Sequence, residues 1–188
     1  VRLNGKVIKA KEDFVVLLFN KPKGVTSTTD KKDKDTIIDY INYPERIFPI
    51  GRLDKDSTGL ILLTNNGDLV NECLRVENGH EKEYVGSVDK NITSDFLNKM
   101  SKGVTIYNPV TDRNVVTLPC DIRKTGKNRF NIILKQGYNR QIRRMCAALG
   151  YHVVSLNRIR FMHLHLDVDQ GKYRLLTSAE IEKLVRKK

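Results

Sequence analysis

The sequence predicts an α+β architecture with a mixed, mainly antiparallel sheet and flanking helices, on three observations. Strand-like and helix-like segments interleave irregularly instead of alternating strand, helix, strand. Neighbouring strand segments are joined by short turn signals, which suits antiparallel partners. No apolar run approaches the roughly 18 to 20 residues that a spanning helix needs, so the 39% of hydrophobic residues among 188 is available for a packed interior.

The opening stretch, Val1 to Asp13, reads as a short strand, an Asn4-Gly5 turn and a basic tail that alone cannot bury a core. Val15-Val16-Leu17-Leu18-Phe19 is a continuous apolar run ending at the basic turn Asn20-Lys21-Pro22-Lys23-Gly24, the pattern of a buried strand. Ser27 to Lys34 is polar and reads as an exposed loop. Ile37, Ile38 and Ile41 have helical spacing, and Ile47 to Ile50 is extended, with Pro49 confining it to a sheet edge or a short strand. Gly59 to Thr64 is a second buried strand, closed by the turn Asn65-Asn66-Gly67, after which Asp68 is placed to cap a helix running through Leu74.

Lys82 to Val88 and Arg129 to Leu134 alternate like strands, with a helix from Thr93 to Met100 between them. Arg140 to Leu149 has helical periodicity, with Ile142, Met145 and Leu149 on one face and Gly150 as the C-cap. Strands are expected at His152 to Leu156, Met162 to Leu166 and Tyr173 to Leu176, then a last helix capped by Thr177 or Ser178, and a frayed basic end, Arg186-Lys187-Lys188.

Charge narrows the partners. The 34 Lys and Arg against 22 Asp and Glu leave a net +12, which favours polyanions: RNA, DNA or anionic membrane, with membrane the least favoured. The N-terminus lacks a signal-peptide apolar region, so the expected location is cytoplasmic. A chain that begins at Val1 instead of Met suggests that upstream sequence has been removed. Cys73, Cys120 and Cys146 form no CxxC pair, so no zinc site and no disulfide framework is indicated.

Two regions are dense in reactive side chains. Gly51-Arg52-Leu53-Asp54-Lys55-Asp56-Ser57-Thr58-Gly59 sets charged and hydroxyl groups between apolar segments, with glycines at both ends to allow tight bends. By loop composition alone, an ordinary turn with Asp54 or Asp56 capping local amides outweighs a catalytic role. A glycosidase pair is disfavoured, because such carboxylates stand roughly 5 to 9.5 Å apart and come from distant sequence. Gln136 to Met145 places Arg140, Arg143 and Arg144 at the start of an amphipathic helix, where cations oppose the macrodipole; this suggests an anionic partner, phosphate or a buried carboxylate, about as strongly as a solvated basic face. Tyr84 could offer a surface for a base to stack on, but a core tyrosine is the commoner explanation. His163 and His165 share one strand face but have no third ligand, so strand packing is the expectation and no metal.

Gly51-Arg52-Leu53-Asp54 followed by Ser57-Thr58-Gly59-Leu60, the run Glu81-Lys82-Glu83-Tyr84, and Asn139-Arg140-Gln141-Ile142-Arg143-Arg144-Met145 occur in that order. Together they resemble pseudouridine synthases of the RsuA/RluB/E/F family over roughly Leu17 to Thr177, with His80 to Tyr84 and Asn139 to Cys146 most similar to the RluF branch, which acts on 23S ribosomal RNA. The resemblance reverses the composition-based reading of the Gly51 loop. It implies the pseudouridine synthase catalytic fold with a basic cleft, Asp54 as the nucleophile, Arg143 as its ion-pair partner and Tyr84 as the residue that stacks on the flipped uracil. It further implies that Arg52 displaces the target base and that Leu134 packs beneath it. Asn139, Arg140, Gln141 and Arg144 would contact RNA, and the attack is either at the sugar C1′ or by a glycal-type route.

The same resemblance assigns residues 1–13 to the remnant of an N-terminal S4 RNA-binding module and linker. Residues 14–188 become the catalytic domain, in which 14–50 joins part of the C-terminal half as a small α/β subdomain. The implied function is isomerisation of a uridine in structured ribosomal RNA, by a monomer with no cofactor, no metal and no membrane partner. The alternatives are the same chemistry on small-subunit ribosomal or transfer RNA, and a non-catalytic RNA-binding or ribosome-assembly factor.

Overall fold

A computed structural model describes residues 2–3, 6–7, 14–77 and 79–185. The chain divides into two compact units, Val1–Glu77 with Met162–Lys188, and Asn78–Phe161. In the first, β1 (Arg2–Leu3) pairs antiparallel with β2 (Lys6–Val7). The expected Asn4-Gly5 turn, the rest of the proposed S4 remnant and the basic end Arg186-Lys187-Lys188 lie outside the described residues.

Burial on both faces explains why β3 (Val16–Lys21) reads as an unbroken apolar run. Its antiparallel partner is β5 (Thr58–Thr64), in register from Val16 opposite Thr64 to Lys21 opposite Gly59. Between them, α1 (Ile37–Ile41) starts at Thr36, whose Oγ1 accepts from the Asp39 amide, and stops at Asn42 in the left-handed region. The short β4 (Phe48–Ile50) pairs with Leu62 to Thr64, in keeping with the limit that Pro49 sets.

The cap of α2 (Gly67–Glu77) differs from expectation. Asn66, not Asp68, accepts the free amides, its Oδ1 taking bonds from Asp68 N at 3.0 Å and Leu69 N at 3.2 Å. Asp68 instead occupies the first turn, where its charge suits the positive helix end. Ser27 also departs from the exposed loop it was assigned to, being 3% exposed and bonded to the backbone of Leu53.

The second unit opens with β6 (Lys82–Val88) and α3 (Ser94–Lys102), the helix capped by Thr93. A hairpin of β7 (Thr105–Asn108) and β8 (Arg113–Val116) follows, then β9 (Asp121–Gly126), β10 (Arg129–Leu134), α4 (Gln141–Ala148) and β11 (Val153–Phe161). Within the unit the strands run β11, β6, β10, β9, all antiparallel. One face of this sheet meets α3 and α4 around Val88, Phe96, Met100, Phe130, Ile132, Leu134, Ile142 and Met145. The C-cap of α4 is Leu149, not Gly150, which sits one position beyond in the left-handed region, where a glycine commonly closes a helix.

The chain then returns to the first unit. The expected strand from Met162 to Leu166 shrinks to β12 (Leu164–His165), because Met162 takes a positive φ of 54° and bends the backbone first. β13 (Tyr173–Leu175) pairs antiparallel with β3, and α5 (Ser178–Val185) begins with a reciprocal cap: Thr177 Oγ1 accepts from Glu180 N while Glu180 Oε1 accepts from Thr177 N. The fold is α+β, as the interleaved elements require. Among the described residues, the ladders within each unit are antiparallel, beside a parallel bridge from Thr26 to Thr36.

Gly86 is needed for space. A Cβ there would stand 2.5 Å from Cζ of the fully buried Phe130, so Gly86→Ala must displace the ring. The expected loss is about 1–3 kcal/mol, read as a lower urea midpoint. An unchanged midpoint would mean that the ring has room to swing.

Candidate active site

Gly51 leaves β4 with φ 78°, and the backbone reaches β5 at Thr58 through a loop tied from below. Ser27 Oγ donates to Leu53 O at 3.0 Å and accepts from Leu53 N at 3.2 Å, which buries the side chain of Leu53 and leaves Asp54, the next residue, half-buried. Lys55 O accepts from Gly24 N at 2.8 Å, and Ser57 N donates back to Asp54 O at 3.0 Å. Arg52 is exposed on the same loop.

Beneath this loop lies Lys21, with none of its surface exposed. Its Nζ donates to the carbonyl oxygens of Pro22, Val25 and Lys55 at 3.0, 2.8 and 3.3 Å. Burial pushes the ammonium down to about 8, against the pull of the Asp54 and Asp56 carboxylates. Three carbonyls and two nearby anions therefore compensate a desolvated cation, and the same bonds fix the loop that carries Asp54. Sequence reading placed Lys21 in a basic turn. The available signal was its position as the last residue of an apolar strand, followed by a proline.

In the second unit, Tyr84 lies on β6 opposite Ile132 of β10 and Arg158 of β11, partly buried against the core. Leu134 ends β10 inside the same core, 4% exposed, and Ile142 and Met145 bring one face of α4 to it. Tyr84, Leu134 and α4 are thus brought together in one cluster. Arg158, missed from sequence, is 4% exposed and sets its guanidinium 5.9 Å from the centre of the Phe161 ring. Lys82 is buried as well; a Cβ on Gly137 would meet its Nζ at 2.9 Å, so Gly137 allows the turn before α4 to pass this ammonium closely.

That turn has an uncommon build. Arg140 occupies the N-cap of α4 in the left-handed region, φ 49°, without a side-chain cap, and no acidic residue sits in the first turn. Gln141 is 5% exposed and its amide serves the turn: Oε1 accepts from Tyr138 N at 3.1 Å and Nε2 donates to Gln136 Oε1 at 3.4 Å. Arg144 clamps Asn139, donating from Nε to its backbone oxygen at 3.0 Å and from an Nη to its Oδ1 at 2.9 Å. Arg143 is half-buried beside Cys146, whose thiol burial pushes up to about 12 while the Arg143 charge acts in the opposite direction. Arg52 and Asp54 belong to the first unit; Tyr84, Leu134, Asn139, Arg140, Gln141, Arg143 and Arg144 belong to the second. His163 binds the backbone oxygen of Glu180, and among the described residues no cluster of His, Cys, Asp or Glu has the makings of a metal site.

Residues 15–148 match the model of the RNA pseudouridylate synthase family, and the chain belongs to that family. It is 48% identical over 184 residues to the dual-specificity RNA pseudouridine synthase RluF of Escherichia coli K12, covering 96% of this chain and 61% of that protein. It is also 33% identical over 187 residues to the ribosomal large subunit pseudouridine synthase B of Bacillus subtilis, covering 98% of this chain and 76% of the relative. A solved pseudouridylate synthase superposes with a TM-score of 0.81 at 29% identity, over 96% of this chain and 84% of its own. The chain spans about three fifths of the length of the RluF relatives it matches.

Lys21 makes stability depend on pH in one direction. Its pKa is about 8 in the folded chain against an ordinary 10.5, so between these values the unfolded chain holds more protons and stability rises with pH. The contribution is complete above 10.5 and is lost as pH falls through 8. Lys21→Met is expected to flatten that rise, measured as melting temperature from pH 7 to 10.5, and parallel profiles for the two proteins would overturn the assignment.

Proposed function

We propose that the chain isomerises a uridine in structured ribosomal RNA to pseudouridine, with 23S RNA as the substrate and Asp54 as the reacting carboxylate. The observation that carries this reading is the bracing of the Asp54 loop: Ser27, Gly24 and Lys21 fix the backbone on either side of this half-buried acid. Family membership supports the reaction class. Two relatives, a dual-specificity RNA pseudouridine synthase and a ribosomal large-subunit pseudouridine synthase, support the substrate. Charge supports an RNA partner in a particular way. Between Asn78 and Phe161 fifteen Lys and Arg face six Asp and Glu, whereas the remainder holds nineteen and sixteen, so most of the +12 resides in the second unit.

In the proposed chemistry the bond between N1 and C1′ breaks, which develops positive charge on the sugar, and the Asp54 carboxylate stabilises or traps it. The uracil turns, C5 bonds to C1′, the C5 proton departs and N1 takes up a proton. Atoms and electrons balance without an oxidant or reductant. Arg143 would favour the ionised carboxylate, and Tyr84 would stack on the flipped base. Arg52 would fill the space the base leaves, and Leu134 would floor the pocket. Asn139, Arg140 and Arg144 would hold the RNA backbone, with Gln141 shaping their turn. Such an enzyme works as a monomer in the cytoplasm, without a cofactor.

Release of tritium from C5-labelled uridine in ribosomal RNA tests the reading. Asp54→Ala is expected to lower release by about 10⁴-fold or more, the scale of losing an essential catalytic group, while the chain stays folded with a melting temperature lowered only by the loss of one of the two anions near Lys21. Full release by Asp54→Ala would remove Asp54 from the chemistry. RNA binding without release by the wild type would identify a non-catalytic RNA-binding or assembly factor.

A further inference from the structure

We propose that the outward face of the β7–β8 hairpin, centred on Tyr107 and Val116, is a stacking platform for unpaired RNA bases other than the target uridine. The proposal rests on the RNA reading above and concerns a surface that the catalytic roles do not use.

Of the nine large hydrophobic side chains exposed among the described residues, four fall within this short segment: Tyr107 at 44%, Val110 at 81%, Val116 at 66% and Leu118 at 54%. Register shows why Tyr107 and Val116 stand outside, and Val110 and Leu118 lie just beyond the ladder. Ile106 and Val115 are paired and turn inward to the core, so the alternation of the pleat turns Thr105 and Val116, and Tyr107 and Asn114, to the other side. Tyr107 and Val116 are diagonal neighbours across the ladder, within reach of each other's side chains. A solvent-facing hairpin face is ordinarily polar, and a cluster of this kind marks a binding surface.

Its surroundings favour a nucleic acid. The hairpin packs against α4, and its exit is tied to the turn before that helix, where Leu118 N donates to Gln136 Oε1 at 2.8 Å. The Tyr107 hydroxyl donates to Asp112 Oδ1, which engages the nearby acid and steadies the ring. That bond, with burial, holds the phenol above its ordinary range, while the charge of Arg144, carried on the helix that β7 packs against, acts the other way. An aromatic face and small apolar groups, with a guanidinium on the adjoining helix, match a splayed base and its phosphate. Four side chains fall well short of the about 800 Å² per partner that a stable protein interface buries.

The test uses the 188-residue chain and two fluorescein-labelled probes: an RNA hairpin with a uridine-containing single-stranded loop, and the fully paired duplex of its stem. Tyr107→Ala is expected to weaken hairpin binding about ten-fold, as loss of one stacked base does, and to leave duplex binding unchanged. Tyr107→Phe keeps the ring but loses the bond to Asp112, and is expected to bind like the wild type. A wild-type affinity in Tyr107→Ala, or equal losses in Ala and Phe, would overturn the platform. So would a dimer in sedimentation that Tyr107→Ala dissolves, which would make the ridge a self-association surface. Tritium release by the wild type is followed in parallel. Release with no effect of Tyr107→Ala defeats this proposal alone, and a wild type that neither binds nor releases defeats the RNA reading and the platform with it.

Discussion

Burial of the Lys21 ammonium is the interaction on which the arrangement of the acidic loop depends. An ammonium with no exposed surface is expensive to desolvate, and it persists here because three backbone carbonyls from two separate segments converge on it while two carboxylates stand near. Each bond serves twice. The one to Lys55 O compensates the charge and draws the residue after Asp54 toward the end of β3; the one to Val25 O shapes the segment from which Ser27 reaches Leu53. Removing the cation would therefore disturb the backbone of the acidic loop as well as its electrostatic surroundings.

The second unit solves a different problem, that of holding a strongly basic surface on a stable base. Its sheet buries Phe130 over Gly86 and gathers Ile132, Leu134, Ile142 and Met145 in one cluster, so the arginines of α4 are displayed from a helix whose other face is fixed. Arg140 enters α4 in a left-handed conformation that is strained for a residue with a Cβ, and the first turn of the helix holds neither a side-chain cap nor an acidic residue of its own. These local costs are consistent with an anionic ligand at this turn.

Legibility of the fold followed burial. The strands at β3, β5 and β10 were visible because their apolar residues have nowhere else to go, and the bounds of β10 match the expected residues. The strands β7, β8 and β9 were missed. Asp121-Ile122-Arg123-Lys124-Thr125-Gly126 carries one aliphatic residue in six, and its pairing comes from the backbone of β10, which leaves no hydrophobic signature. Asn66 was passed over for Asp68 because both are cap formers, and only the geometry of the turn chooses between them. In the acidic loop, glycines and charge drew attention to Asp54, yet composition alone favoured an ordinary turn; the ordered motifs changed that. Lys21 and Ser27 are invisible as braces because the bonds that tie them to the acidic loop reach backbone atoms 34 and 26 residues away.

The pairing of β13 with β3 has a consequence for how the chain comes off the ribosome. Leu17, Leu18 and Phe19 pair on one side with β5, but their other partners are Leu175, Arg174 and Tyr173, more than 150 residues later. The β11–β6, β6–β10 and β10–β9 ladders and the core around Phe130, by contrast, each join residues within Asn78 to Phe161. At synthesis rates of about 5–20 residues per second, an edge of β3 waits roughly 8–30 s for its last strand. During that interval the inserted segment can complete its own core, and an unpaired apolar edge is exposed to aggregation until translation of the C-terminal segment supplies the strand that covers it.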